Sequence, residues 1–520
     1  MKKAMIILLF ATLAGTFIGC KESAHNGNKP KEVVNVEFLV SSPAASDEQF
    51  ILKDLLQEKF GISVKFSMAA QGAHLEKLQL LVAANSLPDL MSPVPSETAH
   101  KIGSLGALVP YNEHLDKMPN YKKMMESDPV SYASMYAADG NIYIAPQYSE
   151  FSNVHKVFRY IPTMRTDLME SVGLEVPETF DELYKGLKAI KSKHPETVGL
   201  VNRTGTDIFK DLGYSFGTRP DITYNYEQEK YVFGPESENY KAMISYLNKL
   251  WKEGLADPEL FTASTQQYEA KVINGLGVFL IDWEENSNNY WRTHDSLNSD
   301  SAFRLEPIMP IISDVYKRKI VQQMPETNLY TSMVLSKKSP AVDKLIQFVD
   351  WLYSDEGSII VQFGAENVTY AKQDGRYKFL PNIIADYNPD GSTDIQKDYG
   401  IKLPHIIRLS KDLEYEERDE YTQNSEAILK QYIENQYNYP VNNGIELSFT
   451  EEETATIGRL RSDINTCVNE WSIEFVTGSK SLDKYDEFLQ ETKARGVDEL
   501  VDIYNDAYTR FTERINNMKK

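Results

Sequence analysis

Apolar residues along this chain follow two patterns, short runs of near-continuous or alternating character and longer stretches spaced by three and four. Residues 33–40 form an apolar run that predicts a strand. Residues 47–59, with Phe50, Ile51, Leu55 and Leu56 on one side, predict a helix that Gly61 breaks, and 62–68 alternate as a second strand. Strand, helix, strand is the opening unit of a mostly parallel sheet. A helix over 73–84, carrying Leu75, Leu78, Leu81 and Val82, leads into a short strand at 87–91. Further on the pattern predicts short strands at 142–146 and 157–161, the latter ended by Pro162, and helices over 165–172 and 180–191. Thr179 and Glu182 are spaced to cap the second of these helices. Residues 203–233 hold many aromatics and glycines without a clean period, which predicts loops and short strands. Helices follow at 240–251, 266–273 and 342–352, a buried strand at 277–281, a hairpin at 364–378 and a turn at 387–391. Three consecutive helices, at 450–475, 482–493 and 497–515, close the chain, the first opened by a Thr450–Glu453 capping box.

The amino terminus reads differently. Lys2 and Lys3 precede an apolar run, 4–18, that is short for a bilayer and ends Phe17-Ile18-Gly19-Cys20. This resembles a bacterial lipoprotein signal, which implies a signal peptide over 1–19, lipidation of Cys20 and a flexible tether over 20–32. Several acyl chains on one cysteine would hold the chain at a membrane, since each buried CH₂ adds roughly 0.8 kcal/mol.

At 520 residues the chain exceeds the size at which one core keeps growing, so at least two lobes are expected. Its 55 Lys and Arg against 76 Asp and Glu give a formal net charge of −21, which argues against nucleic acid as a partner. With Cys20 lipidated, Cys467 has no partner for an intrachain disulfide. It lies in the series Ile457, Leu460, Ile464, Cys467, Trp471, one face of a helix, and reads as a small buried hydrophobe rather than a reactive thiol. No segment after the signal is long and apolar enough to span a membrane.

Catalytic signatures are missing. There is no phosphate loop, no dinucleotide fingerprint after the first strand, no nucleophile elbow and no His-Glu-x-x-His, and the eight histidines are isolated from one another. Acidic pairs such as Asp282 with Glu284 arise by chance among so many carboxylates. The expectation is therefore no enzyme, no cofactor and no metal.

The aromatics say more, because 31 Tyr, 22 Phe and 5 Trp are available to stack on apolar ring faces. The stretch 279–292 follows a predicted buried strand with Asp282, Trp283, Tyr290, Trp291 and Arg292. Sugar rings have apolar CH faces that such aromatics cover, while Asp, Asn and Arg bond the hydroxyls. Each hydroxyl buried without a partner costs roughly 1–3 kcal/mol. Trp283 and Trp291 either contact such a ligand or fill a core; Trp251, Trp351 and Trp471 sit in apolar helical faces and read as core.

Four segments, in order, resemble the family 1 extracellular solute-binding proteins, the substrate receptors of ATP-driven sugar importers, and in particular their large oligosaccharide-binding lipoprotein branch. They are 160–183, closing on Thr179-Phe180-Asp181-Glu182-Leu183; 251–259, opening on Trp251-Lys252-Glu253-Gly254; 351–357, opening on Trp351-Leu352-Tyr353; and 496–504, opening on Gly496-Val497-Asp498-Glu499. The sequence departs from the family at 192–197, which has too few oxygen ligands for the calcium loop of some relatives. It departs again at 364–370, where Ala365 and Asn367 replace the usual residues.

The resemblance implies an α/β, two-lobed periplasmic-binding-protein-like fold with an interlobe cleft and a helical C-terminal region. Lobe 1 is expected over 33–157 and 275–335, and lobe 2 over 158–274 and 336–520, with crossings near 156–160, Asn274 and Leu335. Cleft candidates beside Asp282, Trp283, Tyr290 and Trp291 are Gln71 and His74 after the second strand, Asp89 at a strand end, Gln147, Tyr148, Arg203, Asn328 and Tyr330. The implied partners are a neutral or mildly acidic oligosaccharide, the permease subunits of an ABC importer and, through the lipid, the membrane, with the protein a monomer on the extracytoplasmic face. The alternative is a surface protein that retains glycan without passing it to a permease. Arg203 or Arg292 in the cleft would point to uronic acids.

Overall fold

The computed structural model describes residues 33–42, 46–48, 50–149, 160–225, 228–298, 302–320, 327–373, 375–381, 383, 399–401, 403–404, 408–409, 420–435 and 445–518. The signal peptide, the tether with Cys20, Lys156 and the turn at 387–391 lie outside them. The strands are β1 (Val34–Ser41), β2 (Ile62–Ala69), β3 (Leu90–Val94), β4 (Ala145–Ser149), β5 (Tyr160–Arg165), β6 (Val198–Leu200), β7 (Ile222–Asn225), β8 (Lys230–Phe233), β9 (Gly277–Trp283), β10 (Leu305–Pro307), β11 (Thr327–Leu335), β12 (Tyr370–Gln373), β13 (Arg376–Phe379) and β14 (Arg408–Leu409). Six of them form one sheet in the order β14-β4-β11-β3-β1-β2, and four form a second, β10-β5-β9-β6. The fold is therefore α/β with two sheet-containing lobes, followed by a helical C-terminal region.

The first lobe grows from β1. Phe38, Leu39 and Val40 are fully buried, as expected of a strand covered on both faces in a parallel arrangement. β1 pairs in parallel with β2, Val34 opposite Ile62, and with β3, Phe38 opposite Leu90. The Phe38 ring meets Phe66 edge-on at 5.7 Å and stacks on Phe348 at 5.8 Å. Phe348 belongs to the helix Val342–Leu352, whose Leu345, Ile346 and Val349 join the same core.

The second lobe is centred on β9, which pairs antiparallel with β5 and parallel with β6. The helix Phe180–Lys193 covers it, opened by the Thr179–Glu182 capping box. The helix Glu238–Lys252 ties this lobe to the C-terminal helix Glu451–Thr477, which starts at the Thr450–Glu453 capping box. The Tyr240 and Ser472 hydroxyls lie 2.9 Å apart, and Asn248 Nδ2 donates to the Phe475 carbonyl at 2.7 Å. Cys467 is fully buried in this core, and burial raises its thiol to about 11.

Several expectations are corrected. The strand at 277–283, assigned above to lobe 1, lies in the second sheet, and the helix Val342–Leu352, assigned to lobe 2, packs on the first. Asn274 and Leu335 therefore do not mark crossings. The chain passes from the first sheet to the second between Ser149 and Tyr160 and back between Pro307 and Thr327, and after Leu409 the helix Glu420–Glu434 packs on β10 of the second sheet. The physical reason is that an apolar run shows that a strand is buried but not which neighbours pair with it. β5 also runs through Pro162, because Ile161 and Thr163 hold the pairing with Asp282 and Leu280 on either side. Within 203–233 the structure has a helix, Ile208–Phe216, whose buried stripe of Ile208, Phe209, Leu212 and Phe216 is interrupted by Gly213. A Cβ at Gly213 would come within 2.5 Å of the Thr218 carbonyl oxygen, so packing imposes the residue that blurs the period. The hairpin expected over 364–378 is formed by β12 and β13.

The first lobe also touches the C-terminal region. Arg514 Nη1 donates to the Ala133 carbonyl at 2.9 Å, and Glu446 N–H donates to Ser134 Oγ at 3.0 Å. The Glu446 carboxyl accepts from the Ser96 hydroxyl, while its Oε2 is buried without a hydrogen-bond partner among the described residues. Burial raises this carboxyl from 4.5 to about 7, so the folded state keeps its proton through a range where the unfolded chain has lost it. Stability linked to Glu446 therefore falls as pH rises from about 4.5 to about 7. Glu446→Gln should raise Tm relative to the native chain at pH 8 and converge with it near pH 4, measured by thermal unfolding across a pH series.

Candidate functional site

In open α/β sheets, ligands sit beyond the carboxyl ends of the strands. In the second sheet those ends are Leu200 of β6 and Trp283 of β9, with Tyr160 opposite Trp283 in the antiparallel pairing. Trp283 is 36 % exposed, a large share for an indole, and the Tyr160 ring meets it edge-on at 6.0 Å. It also precedes the helix Glu284–Leu297, so the chain turns from strand to helix at the indole.

Beside this pair lies a buried ionic network. Asp282 is 1 % exposed, and its two oxygens accept from Arg203 Nε at 3.1 Å and Nη2 at 2.6 Å. They also accept from the Tyr268 hydroxyl at 3.0 Å, Asn286 Nδ2 at 3.1 Å and the Trp283 N–H at 2.7 Å. The carboxylate bonds raise the Arg203 pKa still further above its ordinary value, and burial with the neighbouring carboxylate raises that of Tyr268. Asn202 fixes the loop bearing Arg203, donating to the Gly205 and Leu260 carbonyls at 2.7 and 2.9 Å and accepting from Thr204.

The sequence candidates divide accordingly. Trp283 and Arg203 meet at the carboxyl edge of the second sheet. Asp282 is turned inward, and its bonds position Arg203 and the Trp283 backbone. Tyr290 is buried, its hydroxyl 3.4 Å from Asp282, and its ring meets Tyr268 edge-on. Trp291 packs against the cluster containing Tyr290 and Leu280, edge-on to Tyr421 at 5.3 Å, and is a packing residue. Arg292 lies outside the edge group, bonded to Asn289 and set over the Tyr421 ring.

In the first lobe, Gln147 and Tyr148 lie on β4 at the carboxyl edge, half-buried, with Tyr148 hydroxyl 3.3 Å from Ser127. Asn328, opposite Gln147 in the register, and Tyr330 lie on β11, and Gln71 opens the helix Gln71–Ala83 just beyond β2. His74 is buried, with Nε2 3.0 Å from the Pro93 carbonyl oxygen and its pKa lowered by burial. It braces the end of β3 from within the core. Asp89 sits at the amino end of β3, away from the carboxyl edge, where it accepts from the Glu37 N–H at 2.7 Å.

Sequence reasoning missed Tyr160, Asp211 and Tyr214, which line a pocket beside the exposed indole. Asp211 was detectable as an acid on the apolar stripe of a helix, had that helix been recognised. Among the described residues no group of three or more His, Cys, Asp or Glu is arranged to hold a metal ion, and no helix is long and apolar enough to cross a membrane.

Residues 41–359 match the model of the bacterial extracellular solute-binding protein family. The chain belongs to that family. Members of this solute-binding protein family are non-catalytic transport receptors, in keeping with a site that binds and positions. The chain is 22 % identical over 503 residues to the fructooligosaccharide ABC transporter substrate-binding protein FusA of Streptococcus pneumoniae, covering 91 % of this chain and 89 % of the relative. It is 20 % identical over 528 residues to the polygalacturonan/rhamnogalacturonan-binding protein YtcQ of Bacillus subtilis, covering 97 % and 98 %. The solved structure of an HMO binding, ABC-transporter associated solute-binding protein from Bifidobacterium longum infantis superimposes with a TM-score of 0.75 at 16 % identity, over 92 % of this chain and 99 % of that one.

Removing Asp282 orphans a guanidinium and the hydroxyl of Tyr268. Asp282→Ala should cost about 3–5 kcal/mol, read from urea unfolding. Adding Arg203→Met in the same chain should restore part of that loss.

Proposed function

We propose that this chain is a membrane-anchored extracellular receptor that captures an oligosaccharide between its two lobes and delivers it to the permease of an ABC-type importer. The observation that carries the reading is the exposed indole of Trp283, set at the carboxyl end of β9 with Tyr160 edge-on and Arg203 beside it. An indole face supplies the apolar platform that a sugar ring covers, and a guanidinium fixed in direction supplies donors for its hydroxyls.

Support for carbohydrate as ligand comes from two relatives, one named for fructooligosaccharide and one for polygalacturonan and rhamnogalacturonan. The lipid anchor rests on Ile18-Gly19-Cys20 after a cationic, apolar leader. Delivery to permease subunits follows from the family's role. The receptor works as a monomer, binds no nucleic acid and needs no cofactor. Gln147 and Tyr148 supply the facing wall from the first lobe, Gln71, Asn328 and Tyr330 being further ligand candidates there, and closure brings the two strand edges together by hinge motion.

A thermal-shift screen of neutral and acidic oligosaccharides tests the reading, because a ligand that binds only the folded form raises Tm by mass action. At a ligand concentration of 100 Kd the gain is about 2.7 kcal/mol. Trp283→Ala should remove most of that shift while leaving the unliganded Tm close to that of the native chain. Small-angle scattering should record a smaller radius of gyration with a short sugar bound. A Trp283→Ala chain that binds as the native one does removes the indole from the site, and binding restricted to long polymer without compaction replaces import with retention.

A further inference from the structure

Behind Tyr160 the edge of the second lobe continues inward as a small pocket between β5, β9 and the helix Ile208–Phe216. Its lining mixes apolar side chains, Pro162, Leu212, Phe279 and Ile281 among them, with the polar groups of Tyr160, Tyr214 and Ser215, and no Lys, Arg or His is among the described residues that line it. Its one carboxyl is Asp211, itself 6 % exposed, which accepts from Thr204 Oγ1 at 3.2 Å. The Arg203 guanidinium is bound through two nitrogens to Asp282. Arg219, which reaches the Tyr214 hydroxyl at 3.2 Å, is paired with Asp221.

These features restrict the occupant. Apolar walls favour a methyl group and disfavour a hydrated hydroxyl. An anionic group would lose its water and face a carboxyl, with no cation in the described lining to compensate it. Asp211, raised by burial from 3.8 to about 7, retains its proton through mildly acidic pH and is then a donor. The Asp207 and Asp282 carboxylates push in the same direction, while Lys210 and the Thr204 hydroxyl oppose them. A group with one methyl and one acceptor oxygen satisfies both the walls and the acid.

We propose that this pocket is a subsite for an acetyl substituent on the sugar, its methyl against Leu212 and Ile281 and its carbonyl oxygen accepting from Asp211, and that it excludes uronate carboxylates. The proposal rests on the sugar-receptor reading above and names the class of sugar that the receptor selects. Arg203, compensated by Asp282, does not convert the edge into a uronate site.

Matched pairs of sugars test it by calorimetry on the full chain: N,N′,N″-triacetylchitotriose with cellotriose, and N-acetyllactosamine with lactose, alongside 2′-fucosyllactose and trigalacturonate. The acetylated member of a pair should bind roughly tenfold more tightly than its plain counterpart, as expected for one buried methyl and one added hydrogen bond. That preference should shrink between pH 6 and pH 8 as Asp211 loses its proton. In Asp211→Asn, whose amide donates at every pH, the preference should persist and lose its pH dependence. Ser215→Phe, placed at the half-exposed rim of the pocket, should reduce the affinity for the acetylated sugar to that of the plain one. Equal binding of both members of each pair, an unchanged preference in Ser215→Phe, or tighter binding of trigalacturonate would overturn the subsite while leaving the receptor reading intact. Preference for 2′-fucosyllactose over the acetylated sugars would assign the pocket to a bare methyl and overturn the acetyl. No binding of any sugar would overturn the receptor reading and the subsite together.

Discussion

A carboxylate cut off from water organises the ligand edge of the second lobe. Burying Asp282 is tolerable only because a guanidinium, a tyrosine hydroxyl, an amide and a backbone N–H converge on its two oxygens. The same bonds fix the direction of Arg203 and the backbone from which the Trp283 indole projects. Rigidity here is useful because a receptor that must order its own side chains on binding loses affinity to that ordering. The exposed edge is thus shaped by a residue that is itself withdrawn from solvent.

The rest of the fold serves to bring such edges to one place. Parallel strands send their carboxyl ends in one direction, so β1, β2, β3 and β4 in one sheet and β6 and β9 in the other each gather their loops on one side. Side chains that were far apart in sequence, such as Tyr160, Arg203 and Trp283, become neighbours through strand pairing alone. Those on the opposite ends or inner faces, Asp89 and His74 among them, carry structural hydrogen bonds instead.

Much of this was legible in the residues. Caps and periods announced the helices Phe180–Lys193, Val342–Leu352 and Glu451–Thr477, because local spacing alone decides whether a helix starts and which side is apolar. The family resemblance carried the two-lobed plan. Sheet membership was not legible: nothing within Gly277–Trp283 states that its neighbours are β5 and β6, since pairing depends on segments far away. The side of a strand was equally hidden. Asp282 and Trp283 are adjacent, yet a period of two sends one into the interior and the other to the rim, and composition shows only that both are near a sugar-like cluster. Asp211 was lost with its helix, whose period is broken at Gly213 by a close backbone approach that exists only in three dimensions.

The contact between Arg514 and the Ala133 carbonyl joins the final helix of the chain to the first lobe, with Tyr136 under the guanidinium at 5.0 Å. A hydrogen bond to the backbone and a cation held over an aromatic face, side by side, tie the two regions at one small patch, so any displacement of one against the other that does not turn about this patch must break both contacts.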